Sequence, residues 1–182
     1  MLRKVAIALC QRFFLMLVSS QVRDPKQYRG APRYFFFDID NTLADAWPSF
    51  LIPWKSQQER VASLAVFMGM HRWVSSLQQY PNNKIFFITA RSYTTWLITR
   101  NWLRSNGLNA TWSNTIITNS PEEKLGIIRQ TTAPGNHVYW IDDLSYNHEH
   151  GEVRYYSHLI ERIKETRIRY FGASTINHIN QS

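Results

Sequence analysis

Four short apolar runs punctuate the chain. Tyr34–Phe37 is an unbroken aromatic run, Lys84–Ile88 reads Lys-Ile-Phe-Phe-Ile, Thr115–Thr118 reads Thr-Ile-Ile-Thr, and His137–Ile141 reads His-Val-Tyr-Trp-Ile. Short runs without polar alternation mark strands covered on both faces. Between them the spacing turns helical. Residues 55–80 predict one helix, with Val61, Leu64, Phe67, Met68 and Trp73 near helical spacing until Pro81-Asn82-Asn83 breaks it. Residues 92–106 predict a second helix, with Trp96, Leu97, Trp102 and Leu103 on its apolar side and Gly107 as its cap. Ser120-Pro121-Glu122-Glu123 opens a third in the expected way, with a capping Ser, Pro in the first turn and acids near the positive end of the dipole. A helix near 153–166 and a strand over 167–171 follow. Strands alternating with helices specify an open, largely parallel α/β sheet. In such sheets ligands lie outside the carboxyl ends of the strands.

Those strand ends carry the chemistry. The first ends at Asp38, with Asp40 and Thr42 beyond it; the second at Thr89, with Arg91 behind; the fourth at Asp142-Asp143. Lys124 lies in the first turns of the helix after the third strand. A phosphate ester repels a carboxylate nucleophile, and a hard divalent cation held by oxygen ligands cancels that repulsion. Lys124 adds a point charge and Thr89 a hydroxyl donor. This is the positioning and electrostatic stabilisation that phosphoryl transfer demands.

The length, 182 residues, suits one domain, and 44% hydrophobic against 19% charged residues suits a globular one. The single cysteine, Cys10, excludes an internal disulfide and points to a reducing, cytoplasmic compartment. The net charge of +8 is concentrated at the start, where residues 1–33 hold seven basic side chains, among them Arg3, Lys4 and Arg12, against Asp24 alone. Residues 34–150 are balanced. We therefore divide the chain into a basic, partly apolar arm over 1–33 and a catalytic domain over 34–182. The arm suits an anionic membrane surface or nucleic acid, or is simply a solvated leader. Its apolar stretch Val5–Val18 imitates an export signal, the weaker alternative. Arg12 at its centre would cost roughly 2.5–3.5 kcal/mol in a bilayer, so an amphipathic helix docked on the domain or on a membrane surface fits better than a spanning one. Residues 21–33, with Pro25 and Pro32, predict a linker.

The set Asp38-Ile-Asp-Asn-Thr42, Ile-Thr89-Ala-Arg, Lys124 and Trp-Ile-Asp142-Asp143 resembles the four motifs of the haloacid dehalogenase superfamily of phosphatases. The resemblance covers about 34–145. It implies a Rossmann-like three-layer sandwich with a mainly parallel central sheet. It implies Asp38 as the nucleophile that forms an aspartyl-phosphate and Asp40 as general acid and base. It implies Mg2+ held by Asp38, the backbone carbonyl of Asp40 and a fourth-motif acid. Many members read Gly-Asp where this chain reads Asp142-Asp143, which favours Asp143 as ligand and leaves Asp142 to position Lys124. Asn41 stands where many members have Gly. The inserts at 43–84 and 90–123 leave no room for a large cap domain, so the site is expected to be open. Thr89 and Lys124 are the expected phosphate-binding residues, and Arg91 resembles the Arg that some nucleic-acid end-processing phosphatases place near the substrate.

The substrate is thus expected to be a phosphorylated small molecule, a nucleotide or a phosphorylated nucleic-acid end. The charge balance of 34–150 weakens the nucleic-acid option. Competing readings are a catalytically inactive phosphate-binding scaffold and a glycosyltransferase with a DxD metal site. The latter gives no reason for Thr89, Lys124 and Asp143. His148-Glu149-His150 predicts exposed loop residues rather than a metal site. Trp47, Phe50 and Trp54, after the first motif, suit either packing or stacking on a base or sugar.

Overall fold

A computed structural model describes residues 2–22 and 31–181. Most of the expected linker, with Pro25, lies outside the described residues. The central sheet is five-stranded and parallel, in the order β5-β4-β1-β6-β9. Its strands are β1 (Arg33–Phe37), β4 (Asn83–Ala90), β5 (Thr115–Thr118), β6 (His137–Ile141) and β9 (Ile168–Phe171). β1 lies at the centre, with Phe36 opposite Phe86 on one side and Trp140 on the other. Pleating sends Tyr34 and Phe36 to one face and Phe35 and Phe37 to the other, and all four are buried. The aromatic run is therefore the middle of a sandwich.

Helices cover both faces. On one, α1 (Leu2–Gln21), α5 (Pro121–Ile128) and α6 (Ser157–Lys164) enclose a core with Phe14, Phe86, Leu125, Trp140 and Ile163. On the other, α3 (Met68–Leu77), α4 (Trp96–Ser105) and α7 (Ala173–Gln181) enclose Phe35, Met70, Phe87, Trp102 and Ile176. This is the α/β architecture that the pattern predicts, with no large cap domain among the described residues.

Three local expectations change. The helix expected over 55–80 is two helices, α2 (Gln57–Ala62) and α3. Between them β3 (Ala65–Val66) pairs antiparallel with β2 (Ala44–Asp45), and the Phe67 N–H donates to the Leu43 carbonyl at 2.9 Å. Backbone pairing to a distant loop overrides the helical periodicity. The helix expected over 153–166 begins at Ser157, because β8 (Arg154–Tyr155) pairs back on β7 (Ser145–Tyr146). Leu97, expected on the apolar face of α4, is 52% exposed. Gly107 does close α4: at φ 77° it donates to Arg104, and Leu108 donates to Leu103, a Schellman pair.

The N-terminal helix packs on the domain. Phe14 and Val18 are buried, and Phe14 meets Trp96 edge-on at 5.5 Å and Tyr93 in parallel at 6.2 Å. Among the described residues, no helix is long and apolar enough to cross a membrane.

Candidate active site

β1 delivers Asp38 to the carboxyl edge of the sheet, where its N–H donates to the Ile141 carbonyl at 2.8 Å and extends the ladder by one residue. The chain then turns tightly. Leu43 and Ala44 both donate to the Ile39 carbonyl, and Asn41 adopts φ 56°. That left-handed conformation favours Gly and tolerates Asn, whose side chain caps the turn by accepting from the Trp47 N–H at 3.1 Å. Asn41 is thus a working substitute for Gly at this bend.

Lys124 is the hub. Ser120 caps α5 by accepting from the Glu123 N–H, which fixes the first turn and aims Lys124 into the site. Its Nζ lies 2.7 Å from Asp38 Oδ1 and 2.7 Å from Asp142 Oδ2, with all three side chains buried. Burial alone would lower the lysine, but the charges of Asp142 and Asp38 win and raise it. Asp142 accepts from three protein donors, Lys124 among them. Its Oδ2 also accepts from Trp140 Nε1 at 3.0 Å, and its Oδ1 from the Leu144 N–H at 2.9 Å. Leu144 holds φ 45°, a strained conformation for a branched residue. Its N–H bond to Asp142 and its carbonyl bond to the Tyr156 N–H hold it there.

Asp38 and Asp143 have less compensation. Burial, then the charge of Asp142, raises Asp38 well above the usual carboxylate range despite Lys124. The same two causes push Asp143 up to about 7. Asp143 contacts Thr42 Oγ1 at 3.4 Å and accepts from Ser145 Oγ. Carboxylate oxygens of Asp38, Asp142 and Asp143 all lie within 4.8 Å of one another. Three buried acids against one ammonium leave excess negative charge, and an all-oxygen donor set suits a hard divalent cation. The donor set therefore fits a hard divalent metal ion.

Asp40 is held differently. Arg91 grips it with Nε on Oδ2 at 2.6 Å and NH2 on Oδ1 at 2.5 Å, and NH1 reaches Thr99 at 3.2 Å. Burial would raise Asp40, but the adjacent guanidinium outweighs it and holds the carboxyl below its usual value. Arg91 is thus engaged by Asp40 and Thr99. Thr89 Oγ1 donates to Asp40 Oδ2 at 3.3 Å. Asp38, Asp40, Thr89, Lys124 and Asp143 all line one cleft of about 350 Å³.

Sequence reasoning misses several members of this edge. Ser145 follows the fourth motif. His148, expected to be exposed, is 19% exposed, with Nε2 2.6 Å from Ser145 Oγ and 3.9 Å from Asp143 Oδ2. The β7–β8 hairpin folds it back. Tyr170 donates to the Asp142 carbonyl at 2.8 Å from the neighbouring strand. Only the Ser145 position, two residues after Asp143, offered a signal.

No family model and no curated protein matches the sequence. Two solved structures are similar in fold. A chain of a Pnkp1/Rnl/Hen1 complex superposes with a TM-score of 0.52 at 13% identity, over 80% of this chain and 47% of that one. This chain thus spans about half of that protein. A class C acid phosphatase from Bacillus anthracis with tungstate bound superposes with a TM-score of 0.52 at 13% identity, over 91% of this chain and 78% of that one. At such identities the likeness establishes a shared fold.

Proposed function

We infer that the protein is a magnesium-dependent phosphomonoester hydrolase working through an aspartyl-phosphate on Asp38, with Asp40 as general acid and base. One observation carries the reading. A buried ammonium, Lys124, bridges Asp38 and Asp142 at the carboxyl edge of a parallel sheet, with Asp40 two residues beyond. A structural ion pair has no need of the excess carboxylates around it, whereas a divalent cation does.

The residues divide the work. An Asp38 oxygen attacks phosphorus, and the bond from phosphorus to the ester oxygen breaks. The leaving oxygen takes its proton from Asp40. Water then attacks the aspartyl-phosphate, gives its proton to Asp40, and releases inorganic phosphate and the Asp38 carboxylate. Arg91 favours the carboxylate form of Asp40, which suits the second half. An incoming phosphate dianion raises its proton affinity by repulsion, which suits the first. Lys124 and Thr89 would steady the phosphoryl oxygens. Mg2+, when bound, would offset the repulsion between the carboxylates and the phosphate. Asp143 is the better third ligand beside Asp38, since Asp142 is already committed to Lys124, Trp140 and the Leu144 N–H. The fold-mates named above include an acid phosphatase, which supports the reading at the level of fold.

The test is turnover of p-nitrophenyl phosphate with Mg2+, together with acid-quench trapping of a phosphoenzyme. Asp38→Asn should abolish both. Turnover surviving in that variant sinks the nucleophile assignment, and no turnover by the native protein favours the scaffold reading.

A further inference from the structure

A second cleft, of about 550 Å³, opens off the first at Asp40 and shares Ala90 and Asn119 with it. Ile7 and Cys10 of α1 form one wall, and Phe50, Gln57 and Arg60 lie among its other lining residues. Asp40 lies at the junction. If Asp40 protonates the departing oxygen, the leaving group must occupy this side. The position of the cleft therefore rests on the phosphatase reading.

Its lining is selective. Phe50 is 56% exposed, and the Arg60 guanidinium stands 4.3 Å from its ring centroid. Arg60 NH1 donates to Ser49 Oγ at 3.0 Å. Among the described residues no carboxylate forms an ion pair with Arg60, whereas Arg91 and Lys124 are both paired. A stacked aromatic–guanidinium pair is a flat surface for a heteroaromatic ring. A guanidinium with no carboxylate within ion-pair distance, although the charge of Asp40 still reaches it, suits an added phosphate. The side-chain amides of Gln57 and Asn119 can meet base edges.

We propose that this cleft binds the nucleoside of a nucleotide substrate, with its base on Phe50 and Arg60 and its phosphate at Asp38. The nucleotide is either free or the terminal residue of a phosphorylated oligonucleotide. In the second case Arg60 pairs with the next phosphodiester.

The experiment compares kcat/KM for nucleoside monophosphates, ribose 5-phosphate and phosphotyrosine, and for 3′- and 5′-phosphorylated oligonucleotides. Nucleotides should exceed ribose 5-phosphate and phosphotyrosine by at least about tenfold, the scale of one base stacked on an aromatic ring. Phe50→Ala and Arg60→Gln should collapse that preference, mainly through KM. Oligonucleotides beating free nucleotides, with a margin that Arg60→Gln removes, identify the source as a nucleic-acid end; the reverse order identifies a free nucleotide. Equal turnover of ribose 5-phosphate, a preference for phosphotyrosine, or a nucleotide preference that survives both substitutions overturns the proposal. Titrating nucleoside monophosphate into the Asp38→Asn protein separates the two readings. Binding that needs Phe50, without turnover by the native protein, refutes hydrolysis alone. Turnover of p-nitrophenyl phosphate without nucleotide preference refutes the cleft alone.

Discussion

Arg91 holds both carboxylate oxygens of Asp40, through Nε at 2.6 Å and NH2 at 2.5 Å. The fork fixes the orientation of the carboxylate and lowers its proton affinity. A lysine would supply charge without the two parallel bonds.

Replacing Arg91 should therefore move the pH profile. Asp40 must carry a proton when the ester oxygen leaves, so activity falls as pH rises through its apparent pKa. Arg91 lowers that pKa, and Arg91→Met should raise it, shifting the alkaline limb to higher pH. We expect kcat to fall roughly 10- to 100-fold as the orientation is lost, within the usual range for general acid–base catalysis. A profile that keeps its alkaline limb in place while kcat drops would show that the arginine does not tune Asp40.

The two adjacent acids should separate in a metal titration. Asp142 is spent on Lys124, Trp140 and the Leu144 N–H. Asp143 accepts from the Thr42 and Ser145 hydroxyls, with His148 Nε2 3.9 Å away. Asp142→Asn should lower the melting temperature yet keep a Mg2+-induced rise. Asp143→Asn should lose that rise. The reverse pattern in thermal unfolding with and without Mg2+ would exchange their roles.

Without metal, acidification toward pH 4 should stabilise the protein. Asp143 is pushed up to about 7 from the ordinary carboxylate value of 3.8, so between those limits the folded state binds more protons than the unfolded one. Stability is then greatest below about 4 on this account and is lost as pH rises through 7. The slope is up to about 1.4 kcal/mol per pH unit for one proton. Asp38, raised for the same reasons, adds to the trend. Saturating Mg2+ should flatten it by favouring the ionised acids. Urea unfolding at several pH values in EDTA and in Mg2+ measures both slopes, and identical slopes would mean that the acids bind no metal.

The parts legible in the sequence are those whose causes are local. Tyr34–Phe37 declares a buried strand because every position is apolar, and Ser120-Pro121 declares a helix start because the cap lies within one turn. Asp38, Asp40, Thr89 and the pair Asp142-Asp143 follow from strand ends alone, and only the resemblance singles out Asp143. The break between α2 and α3 is illegible because its cause is a carbonyl at Leu43. Arg60 looks like an ordinary helical arginine until α2 folds against the turn that carries Phe50. His148 looks like a loop residue until the β7–β8 hairpin brings it to Ser145. Arg91 stands just behind the second strand end in the sequence, but only the fold sets it against Asp40.

The N-terminal helix offers the last test, because it is wall as well as buttress. Phe14 is 3% exposed and meets Tyr93 and Trp96, whereas its neighbour Phe13 is 39% exposed. Truncating a buried Phe removes transfer free energy and leaves a cavity, for about 3–5 kcal/mol. Phe14→Ala should cost that much in urea unfolding, and Phe13→Ala markedly less. Ile7 and Cys10 sit on the same helix and line the second cleft. A loosened α1 should then raise KM for substrates that fill this cleft more than for p-nitrophenyl phosphate. Equal, small costs for the two phenylalanines would mean that the helix is not docked in solution, and the cleft would lose that wall.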